Sequence, residues 1–369
     1  MGEWVDQYLP AVGMVSMQFA YSTLALMNRA ALLEGMSVWV FIFYRQAIAT
    51  LVISPFAYFR RGALMWSKMG MTSFLLIFVT AFIGVALNQI VYYEGLYMAS
   101  SSIASAMANL TPAITFLIAA SLGLERVSIK TLTTLAKIGG TTVCVGGAVS
   151  MALLRGPRLL NTQLPLPNSS LLQLLGSTDR TWLLGCLSLF ASSCCWSLWL
   201  ILLVPVTEHY PDHLSVSAWM CFLSMLQAGL IALFLEPDSK AWNLSSSLEL
   251  SACIVSGILG SGIQFFVQSW CIARRGPFYS AMFTPLCTVI TTGLACIFLH
   301  EAVYIGSLLG AVAVIIGLYV VLWGKSEEMR EKVDPVLGVS TDEITEEKLN
   351  SKVDLEQPLL MEDSNNEHL

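Results

Sequence analysis

Apolar runs separated by short polar breaks make up most of the chain. Ten of them, residues 10–30, 37–59, 73–97, 101–121, 132–154, 181–205, 214–235, 250–272, 277–299 and 303–323, are long enough to cross a hydrocarbon core, which takes about 20 helical residues. The runs are apolar on every side and lack the period-2 alternation of a membrane strand. Backbone amides in lipid must also be satisfied within their own segment. The pattern therefore predicts an all-α integral membrane protein with ten transmembrane helices. Between the runs, Arg60-Arg61-Gly62 closes the second and Arg274-Arg275-Gly276-Pro277 parts the eighth from the ninth. Residues 1–9 read as a short acidic lead. Residues 155–180, with Pro157, Pro165 and Pro167, read as a linker between two halves. The charged tail, 324–369, is expected to be disordered.

The two halves repeat. Thr111-Pro112 and Thr284-Pro285 each open an apolar stretch that closes on a glutamate, Glu125 or Glu301, and the copies lie 173 residues apart. Upstream, Gly84 and Gly260 are each followed four residues later by an amide, Asn88 and Gln264. Downstream come glycines spaced by seven: Gly139/Gly146 and Gly140/Gly147 in one half, Gly310/Gly317 in the other. A seven-residue step returns to the same helix face, so these glycines form small-residue stripes where helices approach closely. Five spans per repeat is odd, so the second copy enters the membrane inverted. Inverted repeats are a recurring plan of secondary transporters, with the substrate site at the midplane between them.

Composition agrees and narrows the classes. Charged residues are 12% of the chain and hydrophobic residues 56%, with a mean hydropathy of +0.69, so the natural solvent is a lipid bilayer. The net charge of −6 comes mainly from the tail, and no basic patch for nucleic acid exists. Nine cysteines show no CxxC and no metal spacing, and most sit in apolar runs as small hydrophobes. No metal or cofactor is expected. Glu208-His209-Tyr210-Pro211-Asp212-His213 sets two histidines four apart, but Pro211 interrupts any helix that would pair them. No Ser-His-Asp set, phosphate loop or embedded carboxylate pair points to an enzyme. The first run lacks a basic n-region and a cleavage site, and reads as a retained span.

Lys and Arg set the orientation. With both termini cytoplasmic, ten basic residues flank the spans on that side and five on the other. Two sequons, at Asn168 and Asn243, fall on the non-cytoplasmic side and are glycosylation candidates. In the tail, Glu356 and Leu359-Leu360 approximate an acidic dileucine sorting signal.

Three motifs carry a family likeness: Tyr44-Arg45-Gln46, Asn109-Leu110-Thr111-Pro112-Ala113, and Gly317-Leu318-Tyr319 followed by Leu322-Trp323-Gly324-Lys325. Over residues 10–325 the chain resembles the plant nodulin-like, walls-are-thin-related branch of the EamA family, within the drug/metabolite transporter superfamily. The resemblance implies two EamA repeats, residues 10–154 and 181–323, and facilitated movement of small metabolites, with amino acids or auxin as cargo. It also implies an uncharged third span, from which Glu94 departs. The expected residence is the plasma membrane, with the vacuolar membrane second.

Intramembrane ionisable groups point to function by default. Arg45 lies about 10 Å inside its span, where it either ties helices or fixes a substrate carboxylate. Glu94, at similar depth, is a candidate gate or ion-pair partner for it. Gln18, Asn88, Gln89, Asn109, Gln264 and Gln268 sit near mid-span, as interhelical glue or as the wall of a polar site. Tyr21, Tyr92, Tyr93, Trp196, Trp199 and Phe283 are candidate aromatic walls. Pro112 and Pro285 free the carbonyls of Ala108 and Ala281 for substrate or for a hinge. Glu125 and Glu301 read as helix-end markers, solvated or paired locally with Arg126 or Lys130.

Overall fold

The computed structural model describes residues 2–61, 70–98, 104, 107–125, 131–153, 180–244, 246–298 and 309–328, and no strand occurs among them. The first half comprises α1 (Gly2–Leu33), α2 (Val38–Arg61), α3 (Met71–Ala81, Phe82–Leu87 and Asn88–Met98), α4 (Thr111–Ser121) and α5 (Leu132–Leu153). The second comprises α6 (Arg180–His209), α7 (His213–Leu235), α8 (Ser247–Gly257, Ile258–Ile263 and Gln264–Arg275), α9 (Pro277–Ala281 and Thr284–Phe298) and α10 (Leu309–Glu328). Among the described residues, eight are long and apolar enough to cross a membrane; α4 and α9 are the exceptions. The acidic lead is helical from Gly2 and continuous with α1, and α10 runs to Glu328 rather than stopping at 323. Asn168, Glu301, Arg126, Lys130 and residues 155–179 and 329–369 lie outside the described residues.

The exceptions share a cause. The chain turns at Asn109-Leu110 before Thr111-Pro112, and at Met282-Phe283 before Thr284-Pro285. Each proline is the second residue of the helix that follows, where its missing amide removes no intrahelical bond. A second matched irregularity lies upstream: α3 and α8 each contain a six-residue π-helical turn, Phe82–Leu87 and Ile258–Ile263. The third residue of each turn is a glycine, Gly84 or Gly260, and an amide follows it directly, Asn88 or Gln264. A wider turn breaks the regular ladder, and glycine lets a neighbour close on the exposed backbone. A Cβ at Gly84 would overlap the Trp199 indole, and one at Gly260 would stand 3.0 Å from a Leu24 methyl.

Inversion is visible in the helix pairs. Ser37, just before α2, donates to Glu236 Oε2, just after α7, at 2.7 Å, and further along Phe43 packs on Gly229. These helices therefore run antiparallel. In α5 and α10, Gly140 meets Gly317 while Gly147 meets Gly310, again antiparallel. In α4 and α9, Asn109 bonds Thr288 while Phe116 packs on Phe278 with ring centroids 4.8 Å apart. The neighbouring contacts repeat as well: α6 lies along α3 as α1 lies along α8, with Trp199 on Gly84 matching Leu24 on Gly260. Repeat-equivalent helices thus face one another across a pseudo-two-fold axis, as five-span inverted repeats require.

Two apolar clusters fill the bundle. One joins α2, α3, α6, α7 and α8 around Phe41, Trp199, Leu200, Leu203 and Phe265. The other joins α1, α4, α5, α8, α9 and α10 around Met14, Phe278, Met282, Phe283 and Val314. The outside is apolar too: Leu51, Phe59, Met71, Phe234 and Tyr319 are all more than half exposed, which suits lipid rather than water.

Candidate functional site

The polar residues of the interior collect where α1, α2, α4, α8 and α9 approach one another. Ser261, Gln264 and Gln268, spaced three and four, lie along one buried face of α8. Arg45 Nε donates to Ser261 Oγ at 2.9 Å, which anchors the guanidinium of α2 on that face. No carboxylate pairs with Arg45 among the described residues. Tyr21, Tyr93 and Cys221 are the titratable groups around it. Glu94 is exposed on α3 and does not reach it, so the predicted gate or ion pair is absent from this conformation.

Tyr21 links the two parts of the polar zone. Its hydroxyl is buried within hydrogen-bonding reach of the Gln268 side chain, whose Oε1 has no other partner. Ser22, the next residue, donates to the Cys287 carbonyl of α9 at 3.1 Å. One residue on, Thr288 Oγ1 donates to Asn109 Oδ1 at 2.9 Å, so the broken helices of the two halves are joined. Asn109 Nδ2 and Gln264 Nε2 are also buried without partners. An unpaired buried polar atom costs about 1–3 kcal/mol. Atoms of Gln264, Gln268 and Asn109 carry that cost on the helices that border this zone.

The seven predicted polar residues divide. Arg45, Asn109, Gln264 and Gln268 belong to this zone, and Gln18 is buried on α1 one turn before Ser22. Asn88 does not join them. Its Nδ2 makes a long 3.4 Å bond to the Gly84 carbonyl within the π turn, and its Oδ1 accepts from Ser192 Oγ at 2.6 Å. It is interhelical glue between α3 and α6. Gln89, one residue on, turns to a narrow groove with Trp39, Ile42, Ala228 and Ile231, between α2, α3 and α7. Asn243 is exposed in the short connection between α7 and α8.

At Pro112 the freed carbonyl is covered. The Ala108 carbonyl freed by Pro112 accepts from the Thr111 hydroxyl at 2.7 Å. Met107 O and Thr111 O accept from Ser193 and Ser197 of α6, at 2.8 and 3.3 Å. The break in α4 is therefore sealed by hydroxyls and offers no open carbonyl at Ala108. The aromatic candidates also separate. Trp196 and Trp199 stack with centroids 4.7 Å apart, Tyr92 packs beside Ala104 and Leu189, and Phe283 belongs to the second apolar cluster with Tyr279.

Glu125 requires a correction. It is 4% exposed and pairs with Lys137 Nζ of α5 at 3.2 Å and with Lys325 Nζ of α10. Lys137 also pairs with Glu328 at 3.0 Å, and Lys325 lies 3.6 Å from the same carboxylate. The glutamate stands at a span end, but α5 and α10 close over it and supply its partners. Lys137 was the available signal, a lone ammonium inside an apolar run. The serines of α1 and α6 were the other: Ser22 and Ser197 hold repeat-equivalent places and bond equivalent broken helices.

Two inverted five-helix repeats, interrupted helices in matched places and a polar zone between them define a multi-pass membrane transporter. The EamA-like transporter family matches residues 10–151 and 183–323; the chain belongs to that family. It is 46% identical to a WAT1-related protein of Arabidopsis thaliana, over 97% of this chain and 98% of that protein. It is 42% identical to the Arabidopsis thaliana protein WALLS ARE THIN 1, over 86% of this chain and 84% of that one. A solved crystal structure at 18% identity superposes with a TM-score of 0.64, covering 85% of this chain and 96% of the other, and shares the fold.

Proposed function

We propose that the protein is a facilitator of amino acids or similar small organic metabolites, working by alternating access and leaving its cargo chemically unchanged. The observation that carries this reading is the half-buried Arg45 guanidinium with no carboxylate partner among the described residues, set beside unpartnered amide atoms. Arg45, Asn109 Nδ2 and Gln264 Nε2 offer donors to a carboxylate, while Gln268 Oε1 offers an acceptor to an ammonium group. A zwitterion answers both sets. Exchange of roles between the inverted halves then exposes the zone to either side. The plasma membrane is the proposed residence, ahead of the vacuolar membrane.

The test is uptake of labelled amino acids into proteoliposomes, with Arg45→Gln as the discriminating variant. Loss of one charge-assisted bond, about 1.5–3 kcal/mol, predicts a roughly 10- to 100-fold rise in KM with folded protein intact. Absence of transport across a broad panel, by protein shown to be folded, would sink the reading. Uptake of indole acids in preference to amino acids would move it to auxin-like aromatic acids.

A further inference from the structure

At one end of the bundle α8 finishes with Arg274-Arg275, and Gly276 turns the chain into α9 with a φ of +85°. Glu125 Oε1 lies against this turn, 3.7 Å from where a Cβ on Gly276 would stand. The four buried charges Glu125, Lys137, Lys325 and Glu328 therefore sit at this basic end. We propose that they form a latch that holds the basic end of the transport pathway closed. The inference rests on the transporter reading.

Three observations carry it. First, every ionic bond but one in the network crosses a helix boundary, and two cross between the halves: Lys137 to Glu328 and Glu125 to Lys325. Relative movement of the halves must break or remake them. Second, the helices that carry them meet on the seam between the halves. Where α5 meets α10, backbone closes on backbone at Gly140–Gly317 and Gly147–Gly310, with Val321 and Ala313 seated against the glycines. Beside the network an apolar plug of Phe116 on Phe278 and Tyr279 on Phe283 fills the same end. Third, the repeat shows the asymmetry. Those glycine contacts make Gly310 the equivalent of Gly140, and Gly317 that of Gly147. The residue equivalent to Lys137 is then Ser307. In the sequence, the lysine within the span is thus not repeated in the second half.

Removing one partner would leave a buried charge uncompensated, so the test removes a cation and an anion together. Glu125→Gln with Lys137→Met deletes Lys137–Glu328 and the ionic part of Glu125–Lys325, and keeps the net charge. The readout is labelling of native Cys144 and Cys271, both fully buried in the neighbouring cluster, by an impermeant maleimide in sealed vesicles. In vesicles with the basic end outward, the double variant is expected to label at least tenfold faster than the parent. In vesicles of opposite orientation it labels no faster. Unchanged labelling of folded double variant would overturn the latch, and so would loss of folded protein, since the network would then be a permanent part of the fold. The labelling needs no cargo. A variant that shows the labelling shift in a protein that transports nothing would refute the proposed substrate and leave the latch standing.

Discussion

Gly317→Ala tests the axis on which the two halves meet. A Cβ at 317 would stand 2.5 Å from the Cys144 amide nitrogen, 2.6 Å from the Gly140 carbonyl oxygen and 2.7 Å from the Cys144 Cα. All three are backbone atoms, so no side-chain rotation relieves the contact. To restore ordinary van der Waals separation, α5 and α10 must part by roughly 1 Å, an overpacking that costs about 1–3 kcal/mol. A gap of that size also forfeits about a quarter to a half of each neighbouring dispersion contact. The control is Gly139→Ala, one residue from Gly140 on the same helix, where an added Cβ meets nothing within 4 Å. Thermal unfolding of the purified protein, followed by the exposure of buried Cys144 to a thiol dye, reads the difference. Gly317→Ala should lower the midpoint by several degrees, while Gly139→Ala should leave it unchanged or raise it slightly. Equal midpoints would mean that α5 and α10 do not meet along the Gly140–Gly147 lane, and the antiparallel pairing would be wrong.

Other expectations follow from single bonds. The Asn88–Ser192 bond should show a coupling of about 0.6–1.7 kcal/mol in a double-mutant cycle of Asn88→Leu and Ser192→Ala, the range for interhelical bonds in membranes; zero coupling would return Asn88 to the candidate binding residues. Thr111→Val keeps the shape but removes the donor to Ala108 O, so it should cost about 1 kcal/mol of stability. If Thr111→Val instead leaves stability untouched while altering transport, the Ala108 carbonyl is a working site and its hydroxyl cover is temporary.

Much of this architecture was legible before any coordinates. Hydropathy is a sum over neighbours in sequence, so ten spans could be read from runs of residues. The matched Thr-Pro pairs and the glycines with following amides marked the repeat, and they coincide with the broken helices and the π turns. The site was less legible. Asn88 and Gln89 are adjacent and equally polar, yet one is consumed by Ser192 and the other faces a separate groove. One residue turns a helix by about 100°, and which face meets which neighbour is not encoded in either residue alone.

The sequence by itself determined the solvent, the number of spans, the duplication and its inversion, because each depends on composition, length or parity. Only the tertiary structure decided which polar groups satisfy one another. Gly139/Gly146 and Gly140/Gly147 are identical stripes on paper, and the approach of α10 selects the second. Glu125 looked like a solvated helix end until α5 and α10 supplied Lys137 and Lys325. Arg45 looked as though Glu94 could neutralise it, and in the fold it bonds Ser261 instead. Buried charge and hydrogen bonding are pairwise and fall off within a few ångströms, so their outcome waits on the contacts that only packing makes.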